Sequence, residues 1–188
     1  MVQSVSDPPN ITAPGLLVTP SEKDIYTAVK AWITSILPFS ITIRQGQLND
    51  VPAPIGPFML MTIIGRERIA TNGWSYTDTE RVVVEQTRIS MQISAFGKGS
   101  GNLIQSVLML WRDLSAVDAL AASGLPIAPL HTSDIRQLGF INAEKNYEDC
   151  WSVDLILQAN ITTRIPQQFA DKLTIDTLEV DTTYPPKE

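Results

Sequence analysis

The chain has 188 residues, a formal net charge of −6 and a hydrophobic fraction of 44%. That length suits one domain with a real core, and the acidic balance argues against holding nucleic acid or an anionic membrane through clustered Lys and Arg. The single cysteine, Cys150, excludes an internal disulfide and a thiolate metal cluster and suits a reducing cytoplasm.

Residues 1–18, broken by Pro8, Pro9 and Pro14, read as an N-terminal arm ahead of a core domain at 19–165. The opening MVQSVSDPPN has neither a basic n-region nor an apolar h-region, so no secretory signal is expected. Thr19-Pro20-Ser21-Glu22 reads as a capping box, with Thr19 as the cap, Pro20 at the first helical position and Glu22 bonding back, worth about 1 kcal/mol. The helix it starts presents Ile25, Val29, Trp32, Ile33 and Ile36 at helical spacing and ends before Pro38. A short strand is expected at Ile41–Arg44.

Pro52, Pro54 and Pro57 make the next lead-in extended, so a strand begins after Pro57. Phe58–Ile64 is apolar except for Thr62, the pattern of a strand covered on both faces. Then the pattern flips: Arg66 and Arg68 share one face, Glu67 and Ile69 the other. Residues 70–80, ATNGWSYTDTE, read as a polar loop whose Trp74 and Tyr76 either anchor an interface or fold back over the domain edge.

Residues 81–96 read as a long strand. Ile89, Met91, Ile93 and Ala95 alternate with Arg88, Ser90, Gln92 and Ser94, giving one dry and one wet face. Val82-Val83-Val84 breaks that parity, which predicts a bulge near Glu85 and a ribbon projecting beyond the sheet. After GKGSG at 97–101, a helix carries Leu103, Ile104, Val107, Leu108, Trp111 and Leu114, and a shorter one follows with Ser115 as cap and Gly124 as stop. Pro126, Pro129 and Gly139 break 125–141 into short extended pieces, and 142–149 form a polar connection. The last core strand puts Trp151, Val153, Leu155, Leu157, Ala159 and Ile161 on one face and Ser152, Asp154, Ile156, Gln158 and Asn160 on the other. Residues 166–188 read as an extended C-terminal arm, in which Leu173 and Ile175 alternate in one parity and Leu178 and Val180 in the other. The arm lies either along a neighbouring subunit, by pairing with a strand edge, or on its own domain.

Grouped antiparallel strands with inserted helices predict an α+β single domain: a mainly antiparallel β-sheet, helices packed on one face, and an extended arm at each end. Four blocks carry a resemblance. They are GPFMLMTIIGRERIATN at 56–72; Gln86-Thr87-Arg88 leading to Ala95-Phe96-Gly97; Asp134-Ile135-Arg136-Gln137-Leu138 with Phe140-Ile141-Asn142, Tyr147-Glu148 and Trp151; and Ile165-Pro166-Gln167-Gln168-Phe169-Ala170-Asp171. In order and spacing they resemble the phage neck (tail) terminator family of contractile-tailed phages and related prophages. The resemblance leads one to expect a basic residue before Trp151, where this chain has Cys150. It implies a tail-terminator-like fold arranged as a ring.

The sharpest chemical candidate is Gly97-Lys98-Gly99-Ser100-Gly101, between a strand and a helix, where backbone amides can cradle phosphate. It lacks the spacing of both the phosphate loop and the dinucleotide fingerprint, and its strand is half-wet where nucleotide folds have a buried one. A turn that folds the helix back on the sheet fits better. His131 stands with Ser133 and Asp134 nearby, but one His and one Cys without ligand spacing support neither a zinc site nor a triad. His131 reads as a loop residue and Cys150 as a small, partly buried one.

The expected role is structural, with no enzyme activity, no cofactor and no metal. By resemblance the protein is a tail terminator of the virion neck, a homo-oligomeric ring, hexameric, at the head-proximal end of the tail. It would stop tube growth and meet head–tail connector proteins and tail tube and sheath proteins. Genomic DNA would pass through the lumen without specific binding, aided by acidic residues that repel phosphate. No membrane contact is expected, and assembly would occur in the bacterial host cytoplasm. The interface residues expected are Arg66, Arg68, Trp74, Tyr76 and Arg88, with Phe169, Leu173, Ile175, Leu178 and Val180 of the arm. The arginines are expected to pair with carboxylates of adjacent subunits; the alternative, that they hold DNA, carries a steep salt dependence. Two other readings stay open: another tail-completion or head–tail joining protein, and, from a different class, a nucleotide- or small-ligand-binding enzyme using 97–101.

Overall fold

The computed structural model describes residues 18–47, 54, 56–141 and 147–167. In chain order the elements are β1 (Val18–Thr19), α1 (Glu22–Ile36), β2 (Thr42–Gln45), β3 (Phe58–Arg68), β4 (Gly73–Tyr76) and β5 (Glu80–Phe96). They continue with α2 (Ser100–Trp111), α3 (Leu114–Ala122), β6 (Ile127–Thr132), β7 (Arg136–Ile141) and β8 (Tyr147–Pro166). The 17 residues of β5, at about 3.3 Å each, extend over roughly 55 Å. They pair antiparallel with β8 from Glu80↔Pro166 to Phe96↔Cys150 without a register break.

Shorter strands line both edges of this pair. β3 and then β4 lie along β5, with β2 parallel to β3 outside it. β7, β6 and β1 follow one another along the far edge of β8. The sheet is therefore mixed, with one parallel pair, β2–β3, at its edge.

The odd-numbered residues of β5 and β8 face the helices. Ile89, Met91, Ile93, Val153, Leu155 and Leu157 are fully buried there, with Ile25, Val29 and Ile33 of α1 and Ile104 and Val107 of α2. The alternation predicted for both long strands is this face. A smaller cluster lies on the other side, where the Phe58 and Phe96 rings stack at 4.5 Å and Phe140 meets Phe96 edge-on at 5.0 Å. The apolar run of β3 serves both clusters: Met59 and Met61 enter the main core, and Phe58 and Leu60 the second.

Several local expectations are corrected. The bulge sits in β3, between Ile63 and Gly65, and not near Glu85 of β5. The Ile63 amide donates to the Tyr26 hydroxyl of α1 at 2.7 Å, and burial pushes the Tyr26 pKa up. Ile64, expected to be covered, is 52% exposed. The three valines break parity for a different reason: all are half-buried on a ribbon without a single dry face. The loop expected at 70–80 contains a strand, β4, paired with Arg81–Val84.

Both helix caps lie two residues from where the sequence places them. Thr19 is engaged in β1 opposite Thr162. Ser21 is the cap of α1: its hydroxyl accepts from the Asp24 amide at 3.2 Å, and the Asp24 carboxylate accepts from the Ser21 amide at 2.9 Å. The Ser21 hydroxyl, which donates to the Asp24 carboxylate at 2.7 Å, and then the Ser21 amide hold the Asp24 carboxyl below its usual range. Asp113, not Ser115, caps α3, by accepting from the Ser115 amide. Gly124 ends it as expected, with φ +70.

Trp32 and Trp111 meet edge-to-face at 5.0 Å beneath the helices. The register of β6 against β8 breaks between Pro129 and Thr132, opposite Ile156. The Trp111 indole N–H donates to the Ile156 carbonyl at 3.3 Å in that gap, giving the buried acceptor a partner. Trp111→Phe keeps a ring but strands that carbonyl, so unfolding free energy should fall by about 2–4 kcal/mol from the lost bond and volume. Urea denaturation measures it; Trp74→Phe, at an exposed position, is the control and should change stability by less than about 0.5 kcal/mol.

Candidate assembly surface

Beyond the helices, β5 and β8 continue as a ribbon flanked by β4 and β1. Val18, Thr163, Val83 and Trp74 stand opposite one another across the four strands. Directly paired residues point to the same face, so these side chains share the helix side of the sheet, joined by Tyr76 opposite Arg81. Trp74 is 62% exposed, Tyr76 55% and Val18 46%. Both aromatics therefore present their rings to solvent and do not fold under the domain edge. An open cavity of about 190 Å³ lies between Asn72, Val83, Glu85, Ile161 and Thr163 on this ribbon.

The arginines are placed by the bulge. Beyond it Arg66 pairs with Ile89 and Glu67 with Arg88 in the ladder, so Arg66 and Arg68 face the helix side and Arg88 the other, as the parity of the sequence implies. Arg66 bonds Glu22 at 2.6 Å, and Arg88 pairs with Glu67. The carboxylates met by these two arginines thus belong to their own chain. Glu22, expected to close the cap of α1, instead ties α1 to β3 and lies 3.5 Å from the Gln45 amide nitrogen. These exposed pairs are each worth about 0–1 kcal/mol, and their value is orientation. A better-shielded pair was not foreseen: Arg136 bonds both oxygens of Asp154, at 2.9 and 2.8 Å, and the Asp154 amide donates to Ser133 Oγ at 2.9 Å. That pair fixes β7 and the turn before it onto β8.

The glycine-rich loop is accounted for by packing. Gly97 and Gly99 have φ +94 and +87, which L side chains rarely adopt. A Cβ on Gly101 would come within 3.2 Å of the Trp151 indole, so the first turn of α2 lies directly on β8. His131 is exposed on the irregular stretch of β6. Cys150 is 2% exposed; burial, then the Glu148 charge, pushes its thiol pKa up. Among the described residues no group of three or more His, Cys, Asp or Glu side chains is gathered as a metal site, and no helix is long and apolar enough to cross a membrane. Phe169, Leu173, Ile175, Leu178 and Val180 lie outside the described residues.

Residues 23–188 match the family model described as phage neck terminator protein. The chain belongs to the phage neck terminator family. This is a family of structural tail proteins, and the match runs from α1 through the ribbon to the last residue of the sequence. A comparison with curated proteins found no match. Among solved structures, the chain is similar to the sheath/tube terminator of an extracellular contractile injection system, PVC, in its extended state, determined by cryo-EM. Identity is 14% and the TM-score 0.40, over 89% of this chain and 65% of that one.

One surface escaped the sequence reading. Leu114 was expected on the buried face of the helix after 101; it opens α3 and is 65% exposed, and Met109 and Val117 are exposed at 61% and 45%. The available signal was the absence of charge from α2.

A raised thiol pKa and burial together leave little accessible thiolate at neutral pH. Native protein should therefore react with a disulfide reagent at least about a hundredfold more slowly than protein in denaturant, measured by absorbance at pH 7.5. The Asp24 carboxyl, lower in the folded state, stabilises α1 above the unfolded carboxylate range and loses that effect as pH falls through its lowered value. Asp24→Asn should flatten the acid limb of the stability–pH curve below about pH 4 and leave its neutral plateau sloped as before.

Proposed function

We propose that this protein terminates a contractile phage tail at its head-proximal end. It forms a ring, hexameric in the reading favoured by the resemblance, that stops growth of the tail tube and offers a surface to the head–tail connector. Tube and sheath proteins are its partners on the tail side. The protein is a virion component assembled in the host cytoplasm, and its work is interface chemistry, without cofactor or catalysis. The observation that carries this reading is the family match over residues 23–188.

The geometry supports it with an exposed ribbon bearing Trp74 and Tyr76 at one end of a sheet whose other end is a closed core. A ring requires a contact between unlike surfaces that closes on itself. The ribbon at 81–88, the Trp74/Tyr76 strand, and the arm from Pro166 with Phe169, Leu173, Ile175, Leu178 and Val180 are the contributors. Arg66, Arg68 and Arg88 border the ribbon, Arg66 and Arg88 tied to carboxylates of their own chain. With a net charge of −6 the protein is not built to grip DNA, which passes through the lumen unheld.

Electron microscopy of a lysate from a phage with a stop codon in this gene tests the role. Over-long tails, unattached beside full heads, are expected. Unattached tails of normal length would replace termination by joining, and intact joined particles would overturn both. Deleting residues 172–188 should leave a folded monomer with weakened assembly, read by circular dichroism and native mass spectrometry. Normal assembly of the truncated chain would remove the arm from the interface.

A further inference from the structure

Trp74, Tyr76, Arg81 and Val83 share one face of the ribbon, and the charge on that face is unbalanced. Arg68 lies on the same side, beside Thr87 and six residues along β5 from Arg81, or roughly 20 Å away. Neither arginine forms an ion pair among the described residues. The Arg81 Nε is buried without a hydrogen-bond partner, and so is Asn72 Oδ1 at the edge of the ribbon cavity. Among the described strand residues on this face Glu85 is the one carboxylate, and it already accepts from the Thr87 hydroxyl at 3.1 Å. Buried polar atoms are nearly always satisfied, so the face lacks an acceptor for Arg81 and a donor for Asn72.

The chain carries a segment of matching chemistry. Residues 168–188 hold five carboxylic acids against two lysines, interspersed with Leu173, Ile175, Leu178 and Val180. In an extended chain Asp171, Leu173, Ile175 and Glu179 fall on one side, in the order acid, apolar, apolar, acid. The ribbon presents Arg81, then Val83 beside Trp74, then Arg68 in the same succession. The segment also starts at the ribbon. β8 runs out to the tip, and the Gln167 amide donates to the Thr79 carbonyl at 2.9 Å, past the last ladder pair. At Gln167 the chain is therefore still heading outward. From 168 to 184 there is no Gly, Asn or Pro to reverse it in a tight turn. The 21 residues that follow Gln167, extended, reach roughly 70 Å, well beyond the distance from Arg81 to Arg68.

We propose that this ribbon face receives the acidic C-terminal arm, residues 168–188, of a second copy of the chain. The proposal rests on the ring reading above and specifies one contact of the ring. Arm and ribbon are unlike surfaces, as a contact that closes a ring requires. Asp171 and Glu179 supply carboxylates to Arg81 and Arg68, whose planar guanidinium groups suit them. Leu173 and Ile175 lie over Val83 and the Trp74 ring, an aliphatic–aromatic pairing. A backbone N–H of the arm donates to Asn72 Oδ1. Arg66 and Arg88 take no part, because carboxylates of their own chain hold them.

The test uses charge reversal in the full chain. Receiver-reversed protein carries Arg68→Glu and Arg81→Glu; arm-reversed protein carries Asp171→Lys and Glu179→Lys. Circular dichroism checks that each is folded, and native mass spectrometry with sedimentation reads assembly. Each alone should self-associate at least about tenfold more weakly than wild type. Mixed one to one, they should assemble again with both variants in equal number, because every arm then meets a receiver of opposite charge. If Arg81→Glu unfolds the ribbon, Arg68→Glu with Glu179→Lys repeats the exchange at an exposed receiver position. Wild-type-like assembly of either variant overturns the contact. A mixture that associates no better than its parts also overturns it, since an arm lying on its own chain gains nothing from mixing. So does a wild-type chain that is monomeric at every concentration. Over-long tails in the stop-codon lysate would then leave the terminator reading standing without this contact.

Discussion

The structure depends on one ladder. β5 and β8 pair antiparallel for the full 17 residues of β5, with no slip, and the remaining strands attach to one or other of their outer edges, β2 by way of β3. A two-stranded ribbon of this length is not stable alone. It persists because one half is clamped: helices cover Ile89–Ala95 and Val153–Ala159 on one side, and the stacked phenylalanines close the other. The other half inherits its register from that clamp. The ribbon is thus held in place by packing that it does not itself contribute.

How much of this was legible in the sequence depended on the presence of a dry face. Where one exists, alternation dictated the strands: Ile89 to Ala95 and Val153 to Ile161 stand where period two places them. The face of α1 followed the same logic at helical period. Where no face is dry, the pattern carried no register. Val82-Val83-Val84 resembled a bulge because alternation failed, yet the ladder runs through them, since half-burial on both sides demands no parity. The real bulge, at Ile63–Gly65, left no such mark because its stabilising partner is the hydroxyl of Tyr26, 37 residues away. The caps slipped for a related reason: Thr19 and Ser21 are both good caps, and a ladder bond from β8 takes the first away.

The candidate surface was partly legible. Trp74 and Tyr76 stood out as aromatics among polar residues, and they are exposed; that they stand on a strand required β5 as a template. The arginines were correctly assigned to faces, but their partners were not visible, because Glu22–Arg66 and Glu67–Arg88 are long-range pairs fixed by tertiary register. The α2–α3 surface was hidden by a misplaced boundary. Reading one helix through Leu114 put that residue inside, whereas Asp113 starts a new helix and turns it outward.

The division of the molecule into a clamped half and an exposed half has an energetic consequence. Residues separated by more than about 10 Å without shared partners act nearly independently on stability. Trp74 and Leu114 are largely exposed and outside the buried cluster, so substitutions there should change folding little. Core residues do the reverse. Trp111 is the exception that links the halves: its indole completes the hydrogen bonding of β8 where β6 breaks away, and α3 begins three residues after it. Packing beneath α2 therefore sets both the course of β8 toward the ribbon and the direction in which Leu114 faces outward.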